Sequence, residues 1–216
     1  MDAKATVKVG DFSRGGKKRV RVKAADHDFK PSALVTPVGI LVPQSNDLFL
    51  ACVTSKVTSD CLVDVLEQWW QSVRDRFEQV RTLVINLDNG PENQSHRTQF
   101  LNRLVAFAQT YQLSVKLAYY PPYHSKYNPI ERCWGVLETH WNGDVLDTVD
   151  TVVQFAQTMT WKGKHPVVSL MTNTYQTGVR LTKRAMVQVS MHIQRLQGLE
   201  RWFVDISSTA PPLLGT

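Results

Sequence analysis

The sequence predicts an α/β domain in which helices cover a mixed β-sheet. The first third alternates every two residues as strands do, and later segments alternate between helical periodicity and short apolar strands. An antiparallel start followed by strand–helix units is typical of a mixed sheet. The chain has 216 residues, 43% of them hydrophobic, which is enough for one domain. We assign residues 1–206 to this domain and residues 207–216 to a flexible tail.

The first strands are predicted from alternation and turn residues. Residues 4–9 alternate, a Gly-Gly pair follows, and residues 20–23 alternate again, which predicts a hairpin. Two apolar, β-branched runs over residues 34–42 and 48–54 predict the next two strands.

Helical periodicity begins after these strands. Apolar residues recur at helical spacing from Leu62 to Phe77, with Ser59 as the predicted N-cap. Residues 82–87 predict a buried strand and residues 113–118 a second strand, with an amphipathic helix between them.

The last third is predicted to be helical. A loop over residues 119–128 leads to a helix that begins at Pro129. Further helices are predicted near residues 148–160 and 182–196.

Composition excludes several protein classes. The longest apolar run, residues 48–53, is too short to span a membrane, and the start lacks a secretory signal. Cys52, Cys61 and Cys133 form no C-x-x-C pair, which argues against disulfides and a cysteine-rich zinc site and favours the cytoplasm. The net charge of +6 is compatible with a nucleic-acid partner without requiring one.

Asp88 is the first candidate for chemistry. It follows the apolar strand of residues 82–87 and opens the turn Asp-Asn-Gly-Pro. Turn formation alone accounts for this segment. The functional alternative is a metal-binding carboxylate, since reactive side chains of α/β sheets gather beyond the carboxyl ends of strands.

Glu131 is the second candidate. It falls at the third position of the helix beginning at Pro129, where a capping role is the structural alternative. The loop over residues 119–128 contains four tyrosines, two prolines, a histidine and a lysine. Loops of that composition often contact a ligand.

Three segments carry a resemblance to a known family: Leu-Asp-Asn-Gly over residues 87–90, Pro-Pro-Tyr-His-Ser-Lys-Tyr-Asn-Pro-Ile-Glu over residues 121–131, and Asn-Thr-Tyr-Gln-Thr-Gly over residues 173–178. They resemble the bacterial insertion-sequence transposases with a Rhodopirellula-type DDE domain, and the resemblance covers nearly the whole chain. It implies a ribonuclease H-like mixed sheet flanked by helices, here with a shortened first strand and extra C-terminal helices.

The resemblance implies a metal-binding triad. Asp2, Asp88 and Glu131 match the family's catalytic positions, and the residues alone would not have singled out Asp2. Asp26 and Asp28, on either side of a histidine, remain alternatives for the first carboxylate. The triad would hold Mg²⁺ or Mn²⁺, with two ions about 4 Å apart.

The function implied by the resemblance is metal-dependent DNA cleavage and strand transfer in insertion-sequence movement. The resemblance implies transposon ends and target DNA as partners, with a second copy of the chain and a DNA-binding protein from an upstream reading frame as further candidates. Only Met1 precedes Asp2, so we expect low activity from this chain alone. The alternatives are an inactive remnant or DNA-binding accessory protein, and a ribonuclease H-like nuclease outside transposition.

DNA contacts are predicted from basic residues on the hairpin and around Glu131, where Tyr123 or Tyr127 could also stack on a base. A solvated rim explains the hairpin charges equally well. The basic residues concerned are Lys17, Lys18, Arg19, Arg21, His124, Lys126 and Arg132. The tryptophans at positions 69, 70 and 134 are expected to pack in the core rather than to stack on bases.

Overall fold

The computed structural model describes residues 1–12, 30–121 and 128–209. The chain divides into two compact units, Met1–Lys56 with Pro129–Thr174 and Val57–Asn128 with Tyr175–Thr216. The elements in chain order are β1 (Asp2–Ala3), β2 (Val7–Val9), β3 (Ala33–Val42), β4 (Asp47–Val53), α1 (Ser59–Val73), β5 (Thr82–Leu87), α2 (Thr98–Tyr111), β6 (Ser114–Tyr119), α3 (Pro129–His140), α4 (Val149–Thr158), β7 (Val167–Met171), α5 (Lys183–Ser190), β8 (Ile193–Arg195) and β9 (Phe203–Ile206). The assignment of residues 1–206 to one domain stays a prediction.

The first unit contains a five-stranded mixed sheet. β3 pairs antiparallel with β1, β2 and β4, and β4 pairs in parallel with β7. The β3–β4 hairpin confirms the strands predicted over residues 34–42 and 48–54 to within one residue at each end. Mixed pairing with helices beside the sheet confirms the predicted α/β class.

The N-terminal strand carries one extra residue between β1 and β2. Ala3 lies opposite Val38 and Val7 lies opposite Val35, so this strand is one residue longer than the matching part of β3. Such an insertion is a β-bulge. It lies beside Pro37, which has no N–H to donate within a sheet. The strand predicted over residues 4–9 therefore begins only at Val7, since residues 4–6 form the bulge.

Helix α3 packs on β3 at Gly39. A Cβ atom at position 39 would lie 2.6 Å from Cη2 of Trp134 and 2.8 Å from Cδ1 of Ile130. These distances are below any real Cβ contact, so the close approach of helix and strand requires glycine. The helix begins at Pro129, as predicted.

The second unit contains a four-stranded sheet in the order β5–β6–β9–β8. β5 has the predicted bounds and pairs in parallel with β6. The prediction that it is a buried strand is wrong in part: Ile85 and Leu87 are buried, but Val84 is 58% exposed. Within the described residues β5 pairs with β6 alone and is therefore an edge strand.

Thr58, and not the predicted Ser59, caps α1. The backbone of Thr58 is extended, and its hydroxyl oxygen accepts a hydrogen bond from the Cys61 N–H at 3.3 Å. Ser59 is the first helical residue. A 3-10 helix over Arg74–Phe77 follows α1, so the predicted helical stretch changes its geometry after Val73.

The tryptophans of α1 pack as expected. Trp69 and Trp70 are both buried, and the ring of Trp70 stacks on Phe77 with a centroid distance of 6.4 Å. Trp134 on α3 is also buried.

The helix predicted over residues 182–196 is wrong beyond Ser190. The N–H groups of Met191 and His192 bond to carbonyls three residues back, which closes the helix, and β8 then pairs antiparallel with β9. The sequence pattern also indicates neither β7 nor β9, because both strands are short and Val167 is 61% exposed. The C-terminal part therefore contains strands as well as the expected helices.

Some predicted segments cannot be compared. The hairpin partner over residues 20–23 and most of the loop over residues 119–128 lie outside the described residues. Among the helices of the described part, none combines the length and apolarity needed to cross a membrane.

The contact at Gly39 generates a stability prediction. Gly39→Ala should lower the free energy of unfolding by about 1–3 kcal/mol, because the new methyl group overpacks the α3–β3 contact. Gly135→Ala is the matched control, since no atom lies within 4 Å of its Cβ position on α3. The control should be stabilising by about 0.5–1 kcal/mol through helix propensity. Urea denaturation of both variants measures the difference, and equal effects would contradict the packing account.

Candidate metal centre

Asp2 is held inside the first unit by a side-chain hydrogen bond. Its backbone lies opposite Gly39, and the residue is only 8% exposed. The Trp134 indole Nε1–H donates to Asp2 Oδ2 at 2.7 Å. A short bond from a buried donor to a carboxylate is charge-assisted and directional.

Glu131 lies in the first turn of α3, and its side chain is partly exposed. Trp134 lies three residues further along the same helix, so the two side chains share one helix face. Because α3 packs closely on β3 at Gly39, the helix that carries Glu131 lies beside the strand that carries Asp2. Asp2 and Glu131 are thus carried by two elements that pack together in the first unit.

A second contact, made by Lys4, joins the N-terminal segment to α3. Lys4 forms an ion pair with Glu138, and its Nζ lies 5.7 Å from the centroid of the Trp141 ring. Trp141 Nε1–H donates to Glu138 Oε2 at 2.6 Å. The lysine side chain is only 9% exposed, which limits the screening of the ion pair by water.

Asp88 lies in the second unit, directly after β5. Its Oδ1 accepts hydrogen bonds from Gly90 N at 3.1 Å and from Asn93 Nδ2 at 2.9 Å. Asn93 is 7% exposed, and its backbone carbonyl oxygen accepts a hydrogen bond from the Tyr119 hydroxyl at 2.8 Å. Asp88 itself is exposed, and these two hydrogen bonds orient one of its carboxylate oxygens.

The donor atoms around Asp88 fit a hard divalent cation. Asn93 Oδ1 is buried, with no hydrogen-bond partner in the part of the chain that the structure describes. The Cβ position of Gly90 lies 3.3 Å from both Asp88 carboxylate oxygens and 3.4 Å from Asn93 Oδ1. Three oxygens therefore converge on a space that a larger residue at position 90 would fill. Magnesium and manganese prefer such oxygen ligands.

Tyr119 and Arg195 border the Asp88 loop. Burial raises the pKa of Tyr119, with the positive charge of Arg195 opposing the rise and the carboxylate of Asp88 adding to it. Arg195 donates to the carbonyl oxygens of Ser95 at 2.6 Å and of Glu200 at 2.7 Å. Arg195 was not indicated by the sequence because it lies on β8, a strand within a segment of helical pattern.

Asp2 and Glu131 belong to the first unit, and Asp88 belongs to the second. In residues 1–12, 30–121 and 128–209, no group of three or more His, Cys, Asp or Glu side chains is close enough to hold a metal ion. The triad of Asp2, Asp88 and Glu131 therefore stays a prediction.

Most of the predicted DNA contacts cannot be placed. Arg132 is exposed on α3 and lines a shallow groove with Gly135 and His140. The other predicted contacts, and both alternatives for the first carboxylate, lie outside the described residues: Lys17, Lys18, Arg19, Arg21, His124, Lys126, Asp26 and Asp28.

The three cysteines are buried and form no disulfide. Burial raises the pKa of Cys52 and of Cys133 to about 12 each, and that of Cys61 to about 11. At neutral pH these thiols are therefore protonated, and a protonated thiol is a poor nucleophile and a poor metal ligand.

The segment over residues 173–178 has a structural role that the sequence did not reveal. The Tyr175 hydroxyl donates to Asp64 Oδ2 at 2.9 Å. Arg103 donates to Asp64 Oδ1 at 2.6 Å and to Asp60 Oδ1 at 2.8 Å. Tyr175 thus joins a charged network between α1 and α2.

The protein has an α/β fold, and the carboxylates of Asp2 and Asp88 lie on or directly after two of its strands. Residues 1–208 match the family model of the Rhodopirellula transposase DDE domain. The chain belongs to this family of insertion-sequence DDE transposases, and the family match confirms the predicted ribonuclease H-like class. The family in general acts on DNA with divalent metal ions. Searches among curated proteins and solved structures returned no match.

The Tyr175 network generates a second stability prediction. Tyr175→Phe should lower the free energy of unfolding by about 1–2 kcal/mol, because it removes a hydrogen bond to a charged group. In a cycle with Asp64→Ala, the two effects should couple by at least about 0.5 kcal/mol. Urea denaturation of the two single variants and the double variant measures this coupling. Additive effects would mean that the hydroxyl contributes nothing through Asp64.

Proposed function

We propose that this chain is the catalytic part of a DDE transposase that cleaves DNA at transposon ends and transfers the strand to target DNA. The family match over residues 1–208 is the observation that carries the proposal. The buried carboxylate of Asp2 and the oriented carboxylate of Asp88 support it.

Asp2, Asp88 and Glu131 are the proposed metal ligands, and Asn93 offers a further oxygen beside Asp88. When bound, two Mg²⁺ or Mn²⁺ ions supply Lewis-acid activation of the attacking oxygen and stabilise the leaving oxygen. The protein provides oriented oxygens, and its buried N–H donors keep those oxygens from turning away.

The chemistry balances with water as the one reactant besides DNA. In cleavage, water forms one P–O bond and the DNA 3′-oxygen leaves. In strand transfer, the resulting 3′-hydroxyl forms one P–O bond and one target P–O bond breaks. Neither step needs a covalent protein–DNA intermediate, so we assign no serine, tyrosine or cysteine nucleophile.

The proposed setting follows from the same function. The basic residues listed above would hold DNA phosphates, with Arg132 next to Glu131 on α3. A second copy of the chain and an upstream DNA-binding partner would bring paired ends together. We place the protein in the cytoplasm, associated with the nucleoid when bound to DNA. An inactive remnant is the competing hypothesis.

Removal of the carboxylates tests the proposed site. Asp2→Ala, Asp88→Ala and Glu131→Ala should each lower Mn²⁺-dependent nicking of supercoiled plasmid by about 100-fold or more, because each removes a metal ligand. Asp75→Ala, at an aspartate whose side chain is 93% exposed, is the control and should retain full activity. Nicking that survives in all three variants would refute the triad. A wild-type chain that neither binds Mn²⁺ nor nicks DNA would favour the remnant.

DNA binding has a separate test. Replacing Arg19 and Arg21 together by alanine should reduce the salt dependence of DNA affinity by about two units of log K per log salt, because each lost phosphate contact contributes about 0.9. Fluorescence anisotropy with a labelled duplex at several salt concentrations measures the slope. Arg74→Ala removes an exposed cation from the second unit and should leave the slope unchanged. Equal slopes in all proteins would remove Arg19 and Arg21 from the proposed DNA interface.

A further inference from the structure

We propose that Trp134 is a positioning residue, whose indole N–H fixes the carboxylate of Asp2 in the orientation needed to bind a metal ion. This inference rests on the proposed function, in which Asp2 is a metal ligand. The sequence indicated only a packing role for this tryptophan. The inference adds a second role, which Trp134 exerts through the side chain of Asp2.

The hydrogen bond has the features of an orienting contact. The distance from Nε1 to Asp2 Oδ2 is 2.7 Å, and both residues are only 8% exposed. An indole N–H donates and cannot accept, so the direction of this bond cannot reverse. With little water to compete, the bond holds the plane of the carboxylate and thereby sets where both oxygens point.

The strand that carries Asp2 is short. β1 contains two residues, and a bulge separates it from β2. A strand of that length provides few ladder hydrogen bonds to orient a side chain. Trp134 lies on a helix of twelve residues that is fixed to β3, so it supplies a rigid reference that β1 lacks.

Gly39 explains how the indole reaches Asp2. Asp2 is paired with Gly39, and the Cβ position of that glycine is 2.6 Å from Trp134 Cη2. The absent side chain therefore leaves room for the ring directly beside the residue that carries the carboxylate. Trp134 is also three residues after Glu131, so one helix face provides both a proposed ligand and the donor that orients another.

Asp88 is held in a parallel way in the second unit. There a buried amide, Asn93 Nδ2, donates to one carboxylate oxygen at 2.9 Å. In each case a neutral, buried N–H group orients the proposed ligand without bringing a competing positive charge to the metal.

The chain contains a matched control for the loss of an indole N–H. Trp141 belongs to the same unit, is fully buried, and donates its Nε1–H to Glu138 Oε2 at 2.6 Å. Trp134→Phe and Trp141→Phe both remove an indole donor to a carboxylate from a packed site. Only Trp134→Phe removes it from a proposed metal ligand.

The experiment measures Mn²⁺ affinity of the full chain by titration calorimetry, with and without a DNA duplex. We expect Trp134→Phe to weaken binding by about 10- to 100-fold, as is usual when a partner of a metal ligand is lost. Trp141→Phe should change the Mn²⁺ affinity by less than about 2-fold. Asp2→Ala should weaken Mn²⁺ binding, because it removes the proposed ligand itself. Thermal unfolding of both Phe variants checks that they fold.

A spectroscopic measurement tests the hydrogen bond itself. The chain has six tryptophans, and the indole N–H resonance of Trp134 is identified by its disappearance in Trp134→Phe. In Asp2→Ala this resonance should shift more than the other five, and in the wild type it should move on titration with Mg²⁺. A ring that only packs, without the hydrogen bond to Asp2, predicts neither change.

The outcomes separate the two hypotheses. If Asp2→Ala weakens Mn²⁺ binding but Trp134→Phe behaves like Trp141→Phe, the positioning role is wrong and the proposed function stands. If Asp2→Ala leaves binding unchanged, or the wild type shows no carboxylate-dependent binding even with DNA, the proposed metal site is wrong and the inference falls with it.

Discussion

The close approach of α3 to β3 at Gly39 is the constraint on which the first unit depends. It allows the Trp134 ring to lie beside Asp2, and the same helix carries Glu131 and the ion-pair partner of Lys4. A helix normally stands farther from a sheet because side chains on both surfaces separate them. The missing side chain at one strand position thus sets the distance at which two distant parts of the sequence meet.

Much of the fold was predictable because its signals are local. The bounds of β5 and the start of α3 follow from a short apolar run and from a proline at the first helical position. β7, β8 and β9 were not predictable, since strands of three to five residues carry little periodicity of their own. They form by pairing with strands that are distant in the sequence, and such pairing does not produce a local periodicity of apolar residues.

The candidate site was predictable only where the residue type and its place in a predicted element together indicate a metal ligand. Asp88 at a strand end and Glu131 in a first helical turn were indicated by the sequence, whereas Asp2 required the family resemblance. Asn93 and Trp134 were missed as partners of these carboxylates. The role of Asn93 depends on the direction of its side-chain amide within a loop. The role of Trp134 depends on a contact with a residue 132 positions earlier in the chain.

The bulge between β1 and β2 decides which face of the sheet receives Asp2. Residues five apart on a regular strand point to opposite faces, yet Asp2 and Val7 lie opposite Gly39 and Val35, which are four apart on β3 and share a face. The extra residue therefore turns Asp2 toward α3. In evolutionary terms, an in-frame loss of one codon among residues 4–6 would redirect the Asp2 carboxylate while leaving Asp2, Asp88 and Glu131 encoded. The spacing of this segment, and not only its acidic residue, therefore decides whether Asp2 faces α3.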